Sequence, residues 1–142
     1  MGNLHQHLYQ PLRPPASFRV LELQPGYHSK PIHCELANAS LEEVPNYEAL
    51  SYCWGDLGDT QIIHCNGRSF PITSNLHEAL VNLRRPDRKR TLWVDAICIN
   101  QRDYADRNQQ LRLMGQIYRK ANKVSLDRRR VGTNRLCQDH VR

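Results

Sequence analysis

The sequence predicts an α/β protein in which a parallel or mixed sheet is flanked by helices. Two observations carry this prediction. Strand-like stretches alternate with two amphipathic helical stretches, and one apolar run between the helices has the pattern of a strand buried on both faces. Strands that are separated by helices pair in parallel through right-handed crossovers. With 142 residues, the chain is expected to form one domain around one core.

The first half of the chain predicts strands joined by turns. Residues 18–23 (FRVLEL) and 32–40 (IHCELANAS) flank a turn containing Pro and Gly, so we expect neighbouring strands. Residues 47–56 (YEALSYCWGD) predict a third strand that ends in a glycine turn. In residues 61–72 (QIIHCNGRSFPI), Asn66-Gly67 separates two short strands and predicts a hairpin.

Two helices are predicted in the second half. The first has Asn75 as its cap and Glu78 at capping-box spacing. Its apolar stripe consists of Leu76, Ala79, Leu80 and Leu83. The second runs from about Asp103, which can cap it, to Ala121. Its predicted inward stripe consists of Leu111, Met114, Gly115 and Tyr118, with Ile117 and Ala121 beside it.

The run LWVDAICI, residues 92–99, predicts a central parallel strand between these helices, and KVSL, residues 123–126, begins another strand. The first of these strands ends in Asn100-Gln101, and the third strand of the chain ends in Gly55-Asp56. In open α/β sheets, ligands bind outside the carboxyl ends of the strands. We therefore expect a polar rim at one edge of the sheet.

Asp95 is the unusual member of this apolar run, and two interpretations are open. It is either a buried acceptor of hydrogen bonds from a loop or from the hydroxyl of Ser51 or Tyr52, or a site residue, because carboxylates are rarely buried without partners. Trp54 similarly either packs in the core or forms a pocket wall. The predicted rim consists of Trp54, Gly55, Asp56, Asn100, Gln101, Arg107 and Gln110, with Asp95 and Asp106 as candidate catalytic acids.

Several function classes find no support in the sequence. No apolar run approaches the ~18 residues of a membrane span. Glycine-rich nucleotide loops and the Gly-x-Ser-x-Gly elbow are absent. Cys53 or Cys98 with His64 is conceivable as a nucleophile and base, but free cysteines commonly pack in cores. In His33-Cys34 and His64-Cys65, adjacent strand residues point to opposite faces, so we expect no metal site. No cofactor is expected, and the cytoplasm is the expected compartment.

Positive charge is concentrated in the second half of the chain. Residues 1–83 hold four basic and eight acidic residues, whereas residues 84–142 hold sixteen and six, within a net charge of +6. Such asymmetry suits a nucleic-acid-binding module. No known recognition motif accompanies it, so we favour a solvated helix face and a basic tail. The first 16 residues contain Pro11, Pro14 and Pro15 and are expected to form a disordered arm.

Three motifs in order resemble the HET domain, the fungal heterokaryon incompatibility domain. They are YEALSYCWGD, ITSNLHEALVNLR and LWVDAICINQRDYADRNQQLRLMGQIYRKANKV. The resemblance divides the chain into an arm, residues 1–16, a partial HET domain, residues 17–124, and a basic tail, residues 125–142. Members of the family continue after this point into an apolar strand that ends in Trp-Leu-Gly. We therefore expect a fragment or a mispredicted gene product.

The resemblance implies a role in non-self recognition, a form of innate immunity in which incompatible fungal cells that fuse undergo programmed cell death. It implies a TIR-like (Rossmann-like) layer architecture, incomplete at the C-terminal side, that acts through protein partners or self-association. Some TIR-like domains cleave NAD with a glutamate on a helix, so an NAD-cleaving enzyme is the alternative, with NAD as substrate. Where the family has Glu-Arg, this chain has Asp106-Arg107, which retracts the carboxylate by one methylene.

Overall fold

The computed structural model describes residues 8–9 and 16–126. Within them the strands are β1 (Ser17–Leu23), β2 (His33–Ser40), β3 (Glu48–Ser51), β4 (Thr60–Cys65), β5 (Arg68–Thr73), β6 (Arg90–Trp93) and β7 (Lys123–Leu126). The helices are α1 (Ser74–Leu83), α2 (Asp95–Cys98) and α3 (Tyr104–Lys120).

The strands form one mixed sheet in the order β5-β4-β2-β1-β6-β3-β7. β3 lies between β6 and β7 and is parallel to both, and β2 is parallel to β4. The remaining neighbours are antiparallel, including β1 with β2 and β4 with β5. The predicted α/β class and mixed sheet are therefore confirmed, as is the pairing of the first two strands.

The predicted hairpin is confirmed at Asn66-Gly67. Both residues have positive φ angles, 52° and 75°, the conformation that a tight two-residue hairpin turn requires. The turn fixes the register in which Cys65 of β4 lies opposite Arg68 of β5. This hairpin could be predicted from the local sequence because the residues that determine its turn lie between its two strands.

The core lies around β1, the central strand. Six of its seven residues are buried, whereas in the neighbouring β2 only Cys34 is buried. α1 packs against β4 and β5, and α2 packs against β1. On the other helix, Tyr118 meets Trp93 of β6 edge to face, with ring centroids 5.3 Å apart. The sheet and these helices enclose one continuous apolar cluster.

Two predicted strands are shorter than expected. β3 ends at Ser51 and not at Asp56. The run LWVDAICI is not one strand: β6 ends at Trp93, and α2 begins at Asp95. The amides of Ile97 and Cys98 close the helical turn by donating to the carbonyl of Val94 at 3.1 and 2.7 Å. Asp95 consequently occupies the first turn of a helix, where a negative charge is favourable.

The helix caps are in part as predicted. Asp103 caps α3 by accepting from the amides of Ala105 and Asp106. α1 is capped by Thr73 and not by Asn75, because the Thr73 side chain accepts from the amide of Leu76. Asn75 lies inside the helix and contacts a different segment.

The inward face of α3 also differs from the prediction. Leu111 is 48 % exposed, and Gly115 faces solvent. The buried residues are Gln110 and Ile117, with Leu113, Met114, Tyr118 and Ala121 packed against the core. The observed inward face is therefore rotated relative to the predicted one. One of its positions is occupied by Gln110, whose side chain is hydrogen-bonded to β1.

Part of the predicted arm and tail can be placed. Leu8 and Tyr9, inside the arm expected to be disordered, are buried in the core cluster. Ser125 and Leu126, which were assigned to the tail, pair with Leu50 and Ser51 as the end of β7. The other residues of the arm, apart from Ala16, and those of the tail after 126 lie outside the described residues.

Within residues 8–9 and 16–126, no helix has the length and apolar character that crossing a membrane requires.

The rotated face of α3 gives a direct test. Replacing the fully buried Ile117 by alanine leaves a cavity and should lower the free energy of unfolding by roughly 2–5 kcal/mol. Leu111→Ala on the same helix removes an exposed side chain and should cost less than about 1 kcal/mol. Urea denaturation measures both values. A larger loss of stability in Leu111→Ala than in Ile117→Ala would instead support the inward face predicted from the sequence.

Candidate functional site

The segments that follow β3 and β6 leave the sheet at the same edge. The two strands are parallel neighbours, with Ala49 opposite Trp93. Residues 52–56 and 94–101 therefore begin side by side, at the edge where the sequence predicts the polar rim. Asp95 lies in the second of these segments, at the start of α2.

Asp95 is half-buried, and its negative charge acts on two phenols. Burial raises the pKa of Tyr52 well above its usual range, and the charge of Asp95 raises it further. Burial, followed by the charge of Asp95, raises the pKa of Tyr118 to about 12. The Tyr52 hydroxyl has no hydrogen-bond partner within the described part of the chain, so the expected bond from this hydroxyl to Asp95 is not formed. The Asp95 carbonyl accepts from Nε2 of Gln101 at 2.9 Å.

The second acid of the site, Asp106, forms a buried ion pair with Arg19 of β1. Nη1 and Nη2 of Arg19 donate to Oδ2 and Oδ1 at 2.9 and 3.0 Å, so the pairing is bidentate. The side chains are only 3 % and 10 % exposed. Oδ2 also accepts from the amide of Asn100 at 2.9 Å. The carboxylate thereby ties β1 to the loop between α2 and α3.

Arg19 makes further contacts besides the ion pair with Asp106. It donates to the carbonyl of Cys98 at 3.2 Å, and its guanidinium carbon lies 4.9 Å from the centre of the Tyr9 ring. The Tyr9 hydroxyl donates to the carbonyl of Ile97 at 2.7 Å. Sequence reasoning missed both Arg19 and Tyr9. A possible signal was the charge of Arg19 within an apolar strand, but alternation alone suggests a solvent-facing position.

The Trp54-Gly55 turn lies against the start of α1. Gly55 has φ +72°, and a Cβ at this residue would come within 2.3 Å of Nδ2 of Asn75. That nitrogen donates to the carbonyl of Cys53 at 3.1 Å, so the amide holds the turn. Trp54 is partly buried against the core, which agrees with the packing interpretation. Oδ1 of Asp56 accepts from the amide of Gly58 at 2.8 Å and orders the next turn.

The remaining rim residues do not all face a common opening. Asn100 and Gln101 lie beside Asp95 and Asp106 through the bonds described above, and Arg107 is exposed on α3. Gln110 is fully buried and donates from Nε2 to the carbonyl of Ser17 at 2.9 Å. It connects α3 to β1, and its side chain is not accessible to a ligand at the surface.

The cysteine chemistry considered from the sequence does not fit these surroundings. Burial raises the pKa of the Cys98 thiol to about 12, so the thiolate form is disfavoured. In the described ranges no group of three or more potential ligands is placed to hold a metal ion. His33 and His64 stack with ring centroids 4.8 Å apart, and their neighbours Cys34 and Cys65 are buried. The arrangement offers hydrogen-bonding and charged groups at a rim.

Comparison with known proteins identifies a family that the chain matches. The profile of the family described as "Heterokaryon incompatibility protein (HET)" matches residues 47–136. The match continues past residue 124, where the resemblance read from the sequence ends. A relative from Neurospora crassa, "Heterokaryon incompatibility protein 6, OR allele", is 36 % identical over 138 residues, which cover 87 % of this chain and 20 % of the relative. The chain thus spans about a fifth of the length of this curated relative. No solved structure matches the chain.

The Arg19–Asp106 pair predicts a large loss of stability in Asp106→Asn. The substitution leaves a guanidinium buried without its counter-charge, which typically costs about 3–5 kcal/mol. Asp103→Asn on the same helix is the control, since asparagine also caps helices, and its cost should stay within about 1 kcal/mol. Chemical denaturation of both variants measures the difference. Equal losses of stability in the two variants would mean that Asp106→Asn acts only by removing a negative charge near the helix start and not by breaking the ion pair.

The Gly55 turn predicts a difference between two glycines with the same backbone conformation. Gly55→Ala and Gly67→Ala both place an L-residue at φ near +75°, which costs about 1–2 kcal/mol. Nothing lies within 4 Å of the added methyl at Gly67, whereas at Gly55 it meets Asn75. Gly55→Ala should therefore lose roughly 1–3 kcal/mol more than Gly67→Ala. Thermal unfolding of both variants checks this, and equal losses would show that Asn75 moves aside freely.

Proposed function

The chain belongs to the heterokaryon incompatibility (HET) family, and on that premise we propose that it acts in fungal non-self recognition as an effector domain of programmed cell death. The observation that carries the proposal is that the family match spans both strands of the polar rim, together with α2 and α3. The effector domain acts through contacts with protein partners or with further copies of itself in the cytoplasm.

Protein contact is favoured over catalysis at Asp106 because this candidate acid has structural partners. Asp106 occupies the position where the resemblance places a glutamate, and its two oxygens accept from Arg19 and from the amide of Asn100. A carboxylate that is saturated with donors is a poor nucleophile or general base. This supports a rim that recognises a partner through exposed polar groups, which include Arg107 and Gln101.

The TIR-like NAD-cleaving enzyme remains the second candidate, and one observation favours it. Asp95 is half-buried and acts electrostatically on Tyr52, whose hydroxyl has no partner in the described residues. A carboxylate in such surroundings can serve in chemistry on a bound substrate. In this candidate Asp95, and not Asp106, acts on NAD, which is a substrate and not a resident cofactor.

Expression in a filamentous fungus tests the proposal and separates the candidates. The full chain should reduce colony viability, and Asp95→Asn should abolish the effect because it removes the charge at the centre of the rim. Asp87→Asn, at an exposed position in the loop before β6, is the control and should kill like the parent. Purified protein incubated with NAD should release no nicotinamide.

Two results would contradict the proposal. Viability that is unaffected by the parent chain removes the effector role of this polypeptide. Nicotinamide that is released by the parent chain and lost in Asp95→Asn assigns the rim to NAD cleavage. Circular dichroism of each variant confirms that the loss of killing does not come from unfolding.

A further inference from the structure

A second concave surface lies at the opposite edge of the sheet, where β3, β6 and β7 begin. It is an open cavity of about 620 Å³. Its walls come from the segment before β3, from Asn122 directly before β7, and from the basic run between α1 and β6. Since the three strands are parallel, their starts lie at the edge away from Asp95. The cavity is therefore distinct from the rim.

The cavity carries an excess of positive charge. Its ionisable lining residues are Arg85, Arg88, Lys89 and Arg90, with Glu48 as the one acid. Arg90 donates from Nε and Nη2 to the two carboxylate oxygens of Glu48 at 2.9 Å, and Lys89 pairs with Glu22 at 3.0 Å in an exposed contact. Within residues 16–126, no carboxylate lies within ion-pair distance of Arg85 or Arg88. These two guanidinium groups are available to an anion.

The base of the cavity is held in place by hydrogen bonds. The backbone amide of Asn122 donates to the carbonyl of Tyr47, and Oδ1 of Asn122 accepts from the Tyr47 amide, both at 2.9 Å. Nδ2 of Asn122 reaches Oδ1 of Asn46 at 3.4 Å. The Arg90 guanidinium is fixed by Glu48, whose pKa it lowers, and by the carbonyl of Leu83. A ligand would meet a base that is already ordered, which reduces the entropic cost of binding.

We propose that this basic cavity binds a small molecule with two or more phosphate groups. Its volume lies within the range of about 300–1,000 Å³ that is typical of small-molecule sites. Arginine presents a planar set of donors that matches phosphate oxygens and keeps its charge at any physiological pH. Arg85 and Arg88 would hold the phosphates, and Asn46 lines the site beside them.

Nucleic acid fits the same charge less well. Binding along a duplex uses a basic stripe that follows successive backbone phosphates. Here the cations line one concave site beside the start of three strands. The proposal does not depend on the incompatibility role, because the cavity shares no residue with the rim.

Calorimetric titration of the full chain with inorganic pyrophosphate, at constant ionic strength, tests the site. We expect saturable binding with one ligand per chain. In Arg85→Gln/Arg88→Gln the affinity should fall by roughly tenfold or more, the scale of one lost charge-assisted hydrogen bond. The matched control is Arg112→Gln/Arg119→Gln, which removes the same charge from the exposed face of α3 and should bind like the parent.

Three outcomes would overturn the proposal. They are the absence of saturable heat from the parent chain, equal weakening in both double variants, and tighter binding of a short random-sequence DNA duplex that requires Arg85 and Arg88. Equal weakening in both double variants would mean that pyrophosphate responds only to the net charge of the protein. Tighter binding of DNA would make the cavity part of a nucleic-acid-binding surface. Thermal unfolding midpoints of the two variants should match, because residue 85 accepts the hydrogen bond from the Gly26 amide with its backbone carbonyl, which the substitution keeps.

Discussion

The buried ion pair between Arg19 and Asp106 is the constraint on which the arrangement of the rim depends. Removing a guanidinium and a carboxylate from water costs several kcal/mol per ion, so the pair is tolerable only if its hydrogen bonds are satisfied in one geometry. That geometry needs the carbonyl of Cys98, the amide of Asn100 and the ring of Tyr9 at fixed positions. A strand, two helices and a segment near the N-terminus are thereby held in one arrangement.

The length of the acid at position 106 follows from the same constraint. The resemblance to the HET family places a glutamate here, and the sequence alone suggests that aspartate sacrifices reach toward a ligand. In the structure the short side chain meets the Arg19 guanidinium head on and still accepts from the backbone at Asn100. One additional methylene would require either the arginine or the loop to move. The short side chain of Asp106 is therefore accounted for by an internal contact.

Much of the fold could be predicted because its signals are local. The Asn66-Gly67 turn defines its hairpin without help from the rest of the chain, and Asp103 caps α3 through neighbouring amides. The errors come from interactions between distant segments. An apolar run of eight residues suits a strand or a strand followed by a helical turn, and only packing against β1 decides in favour of the latter. The inward face of α3 could not be predicted because Gln110, a polar residue, is buried on it through a hydrogen bond to Ser17, which lies 93 residues away in the sequence. The candidate site follows the same rule. The sheet edge at which its segments lie could be predicted from chain direction, but Arg19, the distant partner of Asp106, could not.

The parallel unit of β3, β6 and β7 places the rim and the basic cavity at different edges of the sheet. Segments that follow the strands carry Asp95 and Asp106, and segments that precede them carry Arg85 and Arg88. The separation is a consequence of chain direction, since every connection into a parallel strand arrives at one edge and every connection out leaves from the other. Because the Debye length is about 8 Å at physiological ionic strength, charges at the two edges act largely independently on partners in solution. The proposed rim and the proposed phosphate site therefore lie at opposite edges of one sheet and share no residue.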